Sequence, residues 1–317
     1  MRVLMGSEGY SAGDRGCVLT IGNFDGLHRG HRVVIESAVE RARDLDVPCV
    51  VYTFDPHPSR VLHPERAQPL LMTARQMELA LESLGVGLLV REPFTPEFSS
   101  LTPDAFLRDV LDARIGPREL IVGRDFHFGK GRGGSGGTLV QLAPTLGIRV
   151  VIVPEVHAAG QDVSSTRIRK LLAEGEVEEA HQCLGRPYSV WGRVIEGDRR
   201  GREIGFPTAN LELENELSPA RGVYASWVRR IGTEARPVGP SRPAVTNVGT
   251  RPTFEKRDLL TETHLIDFEG DLYGDRIEVA YVRRIRSEQR FPGIEALRHQ
   301  IQIDVEQGRR ILAGLDR

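Results

Sequence analysis

The pattern of apolar and polar positions changes along the chain. In the first half, short apolar runs alternate with longer stretches in which apolar residues recur every three or four positions. Short continuous runs are typical of strands buried on both faces, and the longer stretches are typical of helices. The pattern predicts strands at Cys17–Ile21, Pro48–Phe54, Gly87–Val90, Glu119–Val122 and Arg149–Val153, and helices at His31–Leu45, Thr73–Leu84, Thr102–Leu111 and Thr138–Leu146.

This alternation of strand and helix predicts a Rossmann-like α/β domain with a parallel sheet. Ligands of such sheets bind at the carboxyl ends of the strands. Beyond the last predicted strand, the pattern is helical from Ser165 to Leu184, until Gly185-Arg186-Pro187 interrupts it. We therefore predict a first domain over residues 1–186 and a second over residues 187–317.

In the second half the period of the pattern is two residues, which is typical of half-buried strands. About six such strands without intervening helices predict a small antiparallel β-barrel or sandwich, followed by an amphipathic C-terminal helix that lies across a barrel opening. The segment Thr233–Pro243, rich in Pro and Gly, predicts an exposed loop. The predicted strands are Tyr188–Ile195, Thr208–Leu213, Val223–Arg230, Ala244–Val248, Thr263–Phe268 and Arg276–Tyr281.

Composition narrows the classes of partner. The 42 basic and 44 acidic residues give a net charge of −2, so no global field favours a nucleic acid. The three cysteines lack metal-ligand spacing and are expected to be reduced core thiols. No window approaches the roughly 18–20 apolar residues of a membrane span, and no signal peptide is recognisable. We expect a cytoplasmic protein with small-molecule substrates and no membrane partner, of undetermined oligomeric state.

The segment Gly22–His31 joins the first long predicted strand to a helix. Free backbone N–H groups and the helix dipole favour an anion there, and His28 and His31 can donate hydrogen bonds to phosphate oxygens. Gly22 and Gly26 allow a tight turn. Two loop histidines without a function are the alternative. The position after a strand favours an ATP-phosphate site of a nucleotidyl-transfer domain, a chemistry that needs positioning and charge neutralisation.

Three further segments of the first half follow predicted strands. Val163–Arg169 begins a predicted helix and contains hydroxyl side chains and two arginines. The hydroxyls either cap the helix or bind the triphosphate together with the arginines. Thr53–Pro58 and Gly123–Lys130 could accept the other substrate, although the aromatic residues of the latter also fit a buried strand end. The glycine-rich stretch Gly129–Gly137 predicts a mobile flap.

Two segments of the second half carry candidate chemistry. The loop Gly197–Asn210 combines glycines with arginines, and Thr208 and Asn210 offer hard oxygen ligands for Mg²⁺ held by ATP. A solvated, charged hairpin tip is the alternative for Asp198–Arg202. In Thr261–Phe268, alternation places Glu262 and His264 on one face and Thr263, Leu265 and Asp267 on the other. Glu262 is then either a general base or an exposed strand carboxylate.

Together these segments resemble the prokaryotic bifunctional riboflavin kinase/FMN adenylyltransferase (FAD synthetase) family. The most specific is Gly205-Phe-Pro-Thr-Ala-Asn210, supported by Gly222–Ala225, Asn247–Phe254 and Glu262–Gly274. The resemblance implies that ATP phosphorylates riboflavin in the C-terminal domain. A second ATP then adenylylates the resulting FMN in the N-terminal domain, giving FAD and pyrophosphate.

The resemblance also implies roles for individual residues. Glu262 would be the base of the kinase reaction, and His28 and His31 the catalytic groups that neutralise ATP phosphates. Gly133–Gly137 departs from the family by its glycine content. The implied ligands are Gly22, Phe24, Asp25, Gly26, His28, His31, Ser165, Thr166 and Arg169 for ATP in the adenylyltransferase; Pro56, His57, Pro58 and Asp125 for flavin; Gly201, Arg202, Gly205, Pro207, Thr208 and Asn210 for ATP in the kinase; and Thr208 and Asn210 for Mg²⁺.

Two other functions stay open from the sequence. The first half could be a nucleotidyltransferase for another phosphate acceptor, attached to a barrel without catalysis. Alternatively, the barrel could bind nucleic acid, as small barrels often do. The balanced charge and the aromatic content of 6% disfavour the nucleic-acid alternative.

Overall fold

The computed structural model describes residues 1–11, 13, 15–155, 157–158, 160–197, 201, 204–250 and 259–315. The predicted ATP ligand Arg202 and the segment 251–254 lie outside these residues. The chain divides into two compact units, the first Met1–Pro69 with Ala74–Ser164 and the second Leu70–Thr73 with Ser165–Arg317. The predicted domain limit after residue 186 stays a prediction. No helix in the described ranges is long and apolar enough to cross a membrane.

The core of the first unit is a parallel sheet with the spatial order β1-β4-β3-β2-β5-β8. This confirms the predicted parallel α/β architecture. β1 was not predicted, because its four residues are mostly exposed and form no buried apolar run. The strands are β1 (Arg2–Met5), β2 (Val18–Ile21), β3 (Cys49–Asp55), β4 (Leu88–Pro93), β5 (Glu119–Gly123), β6 (His127–Phe128), β7 (Gly134–Ser135), β8 (Arg149–Val153), β9 (His157–Ala158) and β10 (Gln161–Asp162).

Helices cover both faces of this sheet. Val34 and Ala38 of the first helix pack with Val18 and Ile121, and Phe106 and its neighbours pack on the opposite face. The three cysteines are buried and form no disulfide, as predicted. The helices are α1 (Arg29–Asp44), α2 (Pro58–Leu62), α3 (Ala74–Ser83), α4 (Pro96–Ser99), α5 (Pro103–Ala105), which continues as a π-helix (Phe106–Ile115), and α6 (Gly136–Leu142), with 3₁₀ turns at Ser7–Gly9, Pro64–Arg66, Lys130–Arg132 and Ala143–Leu146.

One partly buried ion pair joins α1 to the sheet. Arg41 donates from Nε and Nη2 to the two carboxylate oxygens of Glu119, at 2.8 and 2.7 Å. Glu119 is 4% exposed, and Arg149 lies 3.4 Å from its carboxylate. The hydrogen bond from Arg41 lowers the pKa of Glu119 below its ordinary value of 4.5. The pair therefore stabilises the fold only while Glu119 is ionised.

Glu119→Gln is expected to destabilise the protein by about 2 kcal/mol at pH 7, because hydrogen bonds to a charged group are lost. The folded pKa is depressed, so this stabilisation is present above the unfolded value of 4.5 and disappears as pH falls through the folded pKa. Urea unfolding at pH 7 and below pH 4.5 should therefore show a gap that narrows in acid. Glu36→Gln, in the exposed pair with Arg32, is the control with little effect at either pH.

The second unit begins with two helices, continues as a closed antiparallel barrel with the strand order β11-β12-β15-β14-β13-β16, and ends with a third helix. The barrel confirms the predicted antiparallel architecture. The two helices run from Ser165 to Leu184, as predicted, with a break at Gly175, whose φ is 83°. The elements are α7 (Ser165–Glu174), α8 (Val177–Leu184), β11 (Tyr188–Ile195), β12 (Ala209–Leu213), β13 (Gly222–Ile231), β14 (Pro237–Thr250), β15 (Leu259–Leu265), β16 (Arg276–Arg286) and α9 (Ile294–Ala313).

Alternation along the strands separates the interior of the barrel from its outer face. Thr246 and Thr263 are directly opposite each other, fully buried and hydrogen-bonded through their hydroxyls, so they point inward. Val245, next to Thr246, points outward and packs with Val305 of α9. The predicted position of the C-terminal helix across a barrel opening is therefore wrong. The helix covers the outer face, where its apolar stripe meets outward-facing side chains.

Two predicted loops are folded. In Thr233–Pro243, the chain from Pro237 onward belongs to β14 and pairs with β13. Pairing of β14 with β15 begins only at Ala244, so the prolines lie in a part of the strand with one open edge, where a missing N–H is tolerated. The predicted flap Gly129–Gly137 contains a 3₁₀ turn, β7, which pairs with the preceding β6, and the start of α6, and Gly129 packs against Pro103.

Candidate active sites

The turn between β2 and α1 is built around the ring of His28. His28 is the N-cap of α1, and its Nδ1 accepts a hydrogen bond from the backbone N–H of His31 at 3.2 Å. A Cβ on Gly30 would lie 3.2 Å from this ring, and a Cβ on Gly22 only 2.9 Å from the ring of Phe24. The two glycines therefore provide the space for the aromatic rings of the turn.

Two non-glycine residues of the same turn have left-handed backbone conformations. Phe24 has φ 51° and Leu27 has φ 42°, on either side of Asp25 and of Gly26, whose φ is 81°. Such conformations cost about 1–3 kcal/mol each and are retained mainly at functional sites. Asp25 is buried at 3% exposure, so this part of the predicted site is a tightly packed turn.

The two predicted catalytic histidines are neighbours. Their rings stack with centroids 3.5 Å apart at 18°, and the edge of Phe24 contacts His31 at a centroid distance of 5.4 Å. Burial, followed by repulsion from His28, holds the pKa of His31 well below its usual value. The Nδ1 atom of His31 is buried and has no hydrogen-bond partner among the described residues. A closely packed histidine pair at a helix N-terminus can donate to an anion at little cost in rearrangement.

The candidate flavin segments follow the strands on either side of β2. β2 pairs with β3 and with β5, and the order of strands along the chain reverses at this point. Pro56, His57 and Pro58 follow β3, and His57 caps α2 by accepting from the backbone N–H of Ser59 at 3.2 Å. Asp125 is exposed just after β5. The carboxyl edge at the reversal of strand order is where parallel sheets bind ligands.

Ser165, Thr166 and Arg169, the other predicted ATP ligands of the adenylyltransferase, belong to the second unit. They occupy the first turns of α7. Their side chains are half-buried or exposed. Their role as ATP ligands stays a prediction.

In the second unit, Thr208 and Asn210 line one cleft at the start of β12. The other walls include Pro207, Thr263, Phe268 and Tyr273. Asn210 is 6% exposed, and its Oδ1 is buried without a hydrogen-bond partner in the described part of the chain. A Cβ on Gly197 would lie 2.2 Å from Asn210 Nδ2, so Gly197 makes room for the carboxamide. The cleft therefore contains a fixed amide oxygen that is available to a ligand.

The loop before β12 is held in place by two hydrogen bonds. The N–H of Phe206 donates to the carbonyl of Gly201 at 2.7 Å, and a Cβ on Gly201 would come within 2.4 Å of the Phe206 carbonyl oxygen. Gly205 has φ 89°. His264 Nδ1 donates to the carbonyl of Pro207 at 2.8 Å, which anchors the loop to β15. Gly201 allows the close approach to the Phe206 carbonyl, and Gly205 provides the left-handed backbone of this loop.

Glu262 is the centre of a polar row across three strands on the outer face of the barrel. It is directly opposite Asn210 of β12 on one side and Asn247 of β14 on the other. Cβ atoms of such opposite residues are about 4.5–5.5 Å apart. Glu262 and His264 are half-exposed, as the predicted shared face requires. The predicted place of Asp267 on the opposite face of the strand is wrong, because β15 ends at Leu265.

Comparison with known proteins covers both units. A family model described as FAD synthetase matches residues 11–167, and one described as riboflavin kinase matches residues 184–312. The chain is 38% identical over 305 residues to the bifunctional riboflavin kinase/FMN adenylyltransferase of Escherichia coli (strain K12), with 96% of each chain covered. The chain belongs to the bifunctional riboflavin kinase/FMN adenylyltransferase family.

Other known proteins are also similar to this chain over nearly its whole length. The bifunctional riboflavin kinase/FMN adenylyltransferase of Listeria monocytogenes is 37% identical over 302 residues, covering 94% of this chain and 93% of the relative. A crystal structure described as a macrolide-efflux protein from Streptococcus pneumoniae is 30% identical, with a TM-score of 0.88, 98% of this chain and 99% of that chain covered. The two family matches leave most of α7 and all of α8 except Leu184 between them.

The sequence analysis did not identify two residues that lie near Glu262 in the structure, Asn247 and Glu288. Asn247 lies in a segment that carried the resemblance, but its register opposite Glu262 depends on how β14 pairs with β15. Glu288 lies beside Asn247 and Gly249, although 26 positions separate it from Glu262. The alternation of side chains along β14 could have indicated the face on which Asn247 lies, but no sequence pattern indicated the position of Glu288.

Proposed function

We propose that the chain is a two-step enzyme of flavin cofactor synthesis. The second unit transfers the γ-phosphoryl group of ATP to the 5′-hydroxyl of riboflavin, which gives FMN and ADP. The first unit provides the site at which a second ATP adenylylates FMN to FAD, with release of pyrophosphate. Support comes from the two family matches, one for each activity, on separate parts of the chain.

The observation that carries the kinase assignment is the register of Asn210 opposite Glu262. A carboxylate next to a phosphate-binding cleft can take the proton of the attacking hydroxyl, while the oxygen of that hydroxyl bonds to the γ-phosphorus. The bond from the γ-phosphorus to the bridging oxygen breaks, and ADP leaves. We assign Gly201, Gly205, Pro207, Thr208 and Asn210 to ATP binding; Arg202, outside the described residues, stays a predicted ligand.

The donor set of the same cleft fits Mg²⁺. The buried, unpartnered Oδ1 of Asn210 and the hydroxyl of Thr208 are hard oxygen ligands on one cleft wall. Mg²⁺ bound there together with ATP would neutralise charge on the phosphates. We therefore assign Thr208 and Asn210 as its protein ligands, since the absence of a carboxylate in this pair matches a metal that is carried by the nucleotide.

For adenylylation, we assign His28 and His31 to the phosphates of ATP. An oxygen of the FMN phosphate attacks the α-phosphorus, and pyrophosphate leaves. Because His28 Nδ1 accepts the His31 N–H, a neutral His28 carries its proton on Nε2 and can donate it to a phosphate oxygen. Gly22, Phe24, Asp25 and Gly26 shape this turn, Pro56, His57, Pro58 and Asp125 are assigned to FMN, and Ser165, Thr166 and Arg169 to the triphosphate.

Chromatography of the flavins tests this proposal. Purified protein is mixed with riboflavin and Mg-ATP, and samples are separated over time. FMN should appear first and FAD later, with pyrophosphate formed in step with FAD. Conversion of supplied FMN to FAD without any FMN from riboflavin would instead support a nucleotidyltransferase with a non-catalytic barrel. Neither flavin product would contradict the proposed function.

A further inference from the structure

An alternating chain of charged side chains lies at the end of β3 in the parallel sheet. Arg91 of β4 donates from Nη2 to Oδ2 of Asp55, the last residue of β3, at 2.5 Å. The Nη1 atom of Arg91 lies 3.5 Å from Oε1 of Glu78 in α3, and Arg75 donates to the other oxygen of Glu78 at 3.0 Å. Arg91 therefore joins the end of β3 to α3 through two carboxylates.

The register of the sheet brings Arg91 and Asp55 together. Arg91 is opposite Thr53 in β3, and Asp55 lies two residues beyond Thr53 on the same face of the strand. The side chain of Arg91 is 21% exposed and that of Glu78 17%, whereas the side chain of Asp55 is 42% exposed. Because the guanidinium is largely buried between two carboxylates, it has a defined position and holds the more exposed Asp55 at the carboxyl edge of the sheet.

Asp55 comes directly before the segment that is assigned to FMN. Its carbonyl oxygen also accepts a hydrogen bond from the N–H of Phe94 at 3.1 Å, so both its backbone and its side chain are fixed. Pro56 and Pro58 restrict φ on either side of His57, which is the N-cap of α2. The segment therefore has few free torsions, and a shift of Asp55 would be passed on to the ring of His57.

The position of the ion pair favours a role in FMN binding over a role in folding. Arg91, Asp55 and Glu78 all belong to the first unit, and none of them is assigned to ATP or to the kinase reaction. An ion pair whose carboxylate is well exposed to solvent contributes little to stability. Removing it should therefore alter the place of the FMN segment more than it alters the stability of the unit.

We propose that Arg91 is a positioning residue of the adenylylation reaction, which holds the segment Pro56-His57-Pro58 in its FMN-binding position through Asp55. This inference rests on the proposed FMN adenylyltransferase activity. Arg91 acts on the binding of FMN without touching it. It takes no part in the chemistry at the α-phosphorus of ATP or in the kinase reaction.

Steady-state adenylylation of supplied FMN by the full chain tests this role. Arg91→Ala should raise the KM for FMN about tenfold or more, the effect of losing a hydrogen bond between charged groups. The KM for ATP and kcat should change less than twofold, because no residue assigned to ATP contacts Arg91. Riboflavin phosphorylation by the same samples should be unchanged. Arg91→Lys keeps the charge but not the planar fork of donors, so its KM for FMN should lie between.

A double-mutant comparison shows whether Arg91 acts through Asp55. Asp55→Asn weakens the same pair and should also raise the KM for FMN. Adding Arg91→Ala to it should raise the KM little further, because the effects of residues in contact are not additive. Effects that multiply would show that Arg91 binds FMN directly and would overturn the positioning role. If Arg91→Ala does not fold, Asp55→Asn and Arg91→Lys make the same test at nearly constant side-chain size.

Arg108→Ala is the matched control, since Arg108 donates to the carboxylate of Asp104 at 2.9 and 3.1 Å in an exposed pair of the same unit. It should leave every constant unchanged. A lower kcat with an unchanged KM for FMN in Arg91→Ala would show only a loss of folded enzyme, which overturns the inference. Absence of FAD with wild-type chain and FMN contradicts the proposed adenylyltransferase activity as well. Normal FAD formation with unaltered Arg91→Ala constants contradicts this inference alone.

Discussion

Replacing Glu262 by glutamine is expected to lower the rate of FMN formation from riboflavin by about 10²–10⁴-fold, the usual contribution of a general base. Glutamine keeps the size of the side chain and its place in the row between Asn210 and Asn247, but it cannot take a proton. The loss should therefore appear in kcat. Conversion of supplied FMN to FAD should continue at the wild-type rate, because Glu262 is not among the residues assigned to that reaction.

The measurement is a time course of both flavins by chromatography, started once with riboflavin and once with FMN. Glu212→Gln is the matched control, since this exposed carboxylate lies on the same face of β12, two residues after Asn210. It should not alter either reaction. FMN formation at the wild-type rate in Glu262→Gln would contradict the assignment of the base.

His28→Ala is expected to show the opposite selectivity, with adenylylation of FMN reduced by about 10²–10³-fold and phosphorylation of riboflavin unchanged. The variant loses a hydrogen-bond donor at the phosphate site. It also loses the N-cap of α1, which costs about 0.5–2 kcal/mol of stability. Both losses would reduce activity, so the alanine variant alone does not separate them.

His28→Asn separates capping from phosphate binding. Asparagine is a good N-cap, so its side-chain oxygen can accept the His31 N–H in place of the imidazole. Its shorter side chain does not replace the Nε2 donor. We expect the unfolding midpoint of His28→Asn to return close to the wild-type value while adenylylation stays low. Recovery of adenylylation along with stability would show that His28 acts only as a helix cap.

The local pattern of apolar and polar residues was sufficient to predict most of the strands and helices. β8 and β11 were predicted to the residue, and α1 within two residues of each end, because a continuous apolar run and a 3.6-residue period are properties of neighbouring positions. The errors lie where burial was not periodic. β1 is mostly exposed, and the proline-containing start of β14 is a strand only because β13 pairs with it.

The residues of the candidate sites also fall into two groups, those that could be predicted from the sequence and those that could not. The turn at His28 and the loop at Gly205–Asn210 were found because their glycines, histidines and hydroxyls are close in sequence. The row of Asn210, Glu262 and Asn247 depends on two strand pairings. The place of Glu288 depends in addition on the Arg286–Asp304 ion pair with α9.

The sequence by itself therefore determined the two architectures, the family and the residues that carry chemistry within single segments. Tertiary structure decided that α9 covers the outer face of the barrel, that His28 and His31 stack at 3.5 Å, and that Asn247 separates Glu262 from Glu288. The physical reason is that helix and strand periods are encoded by neighbouring residues. Register and contact between distant segments follow only when strands pair and a helix buries its apolar stripe against them.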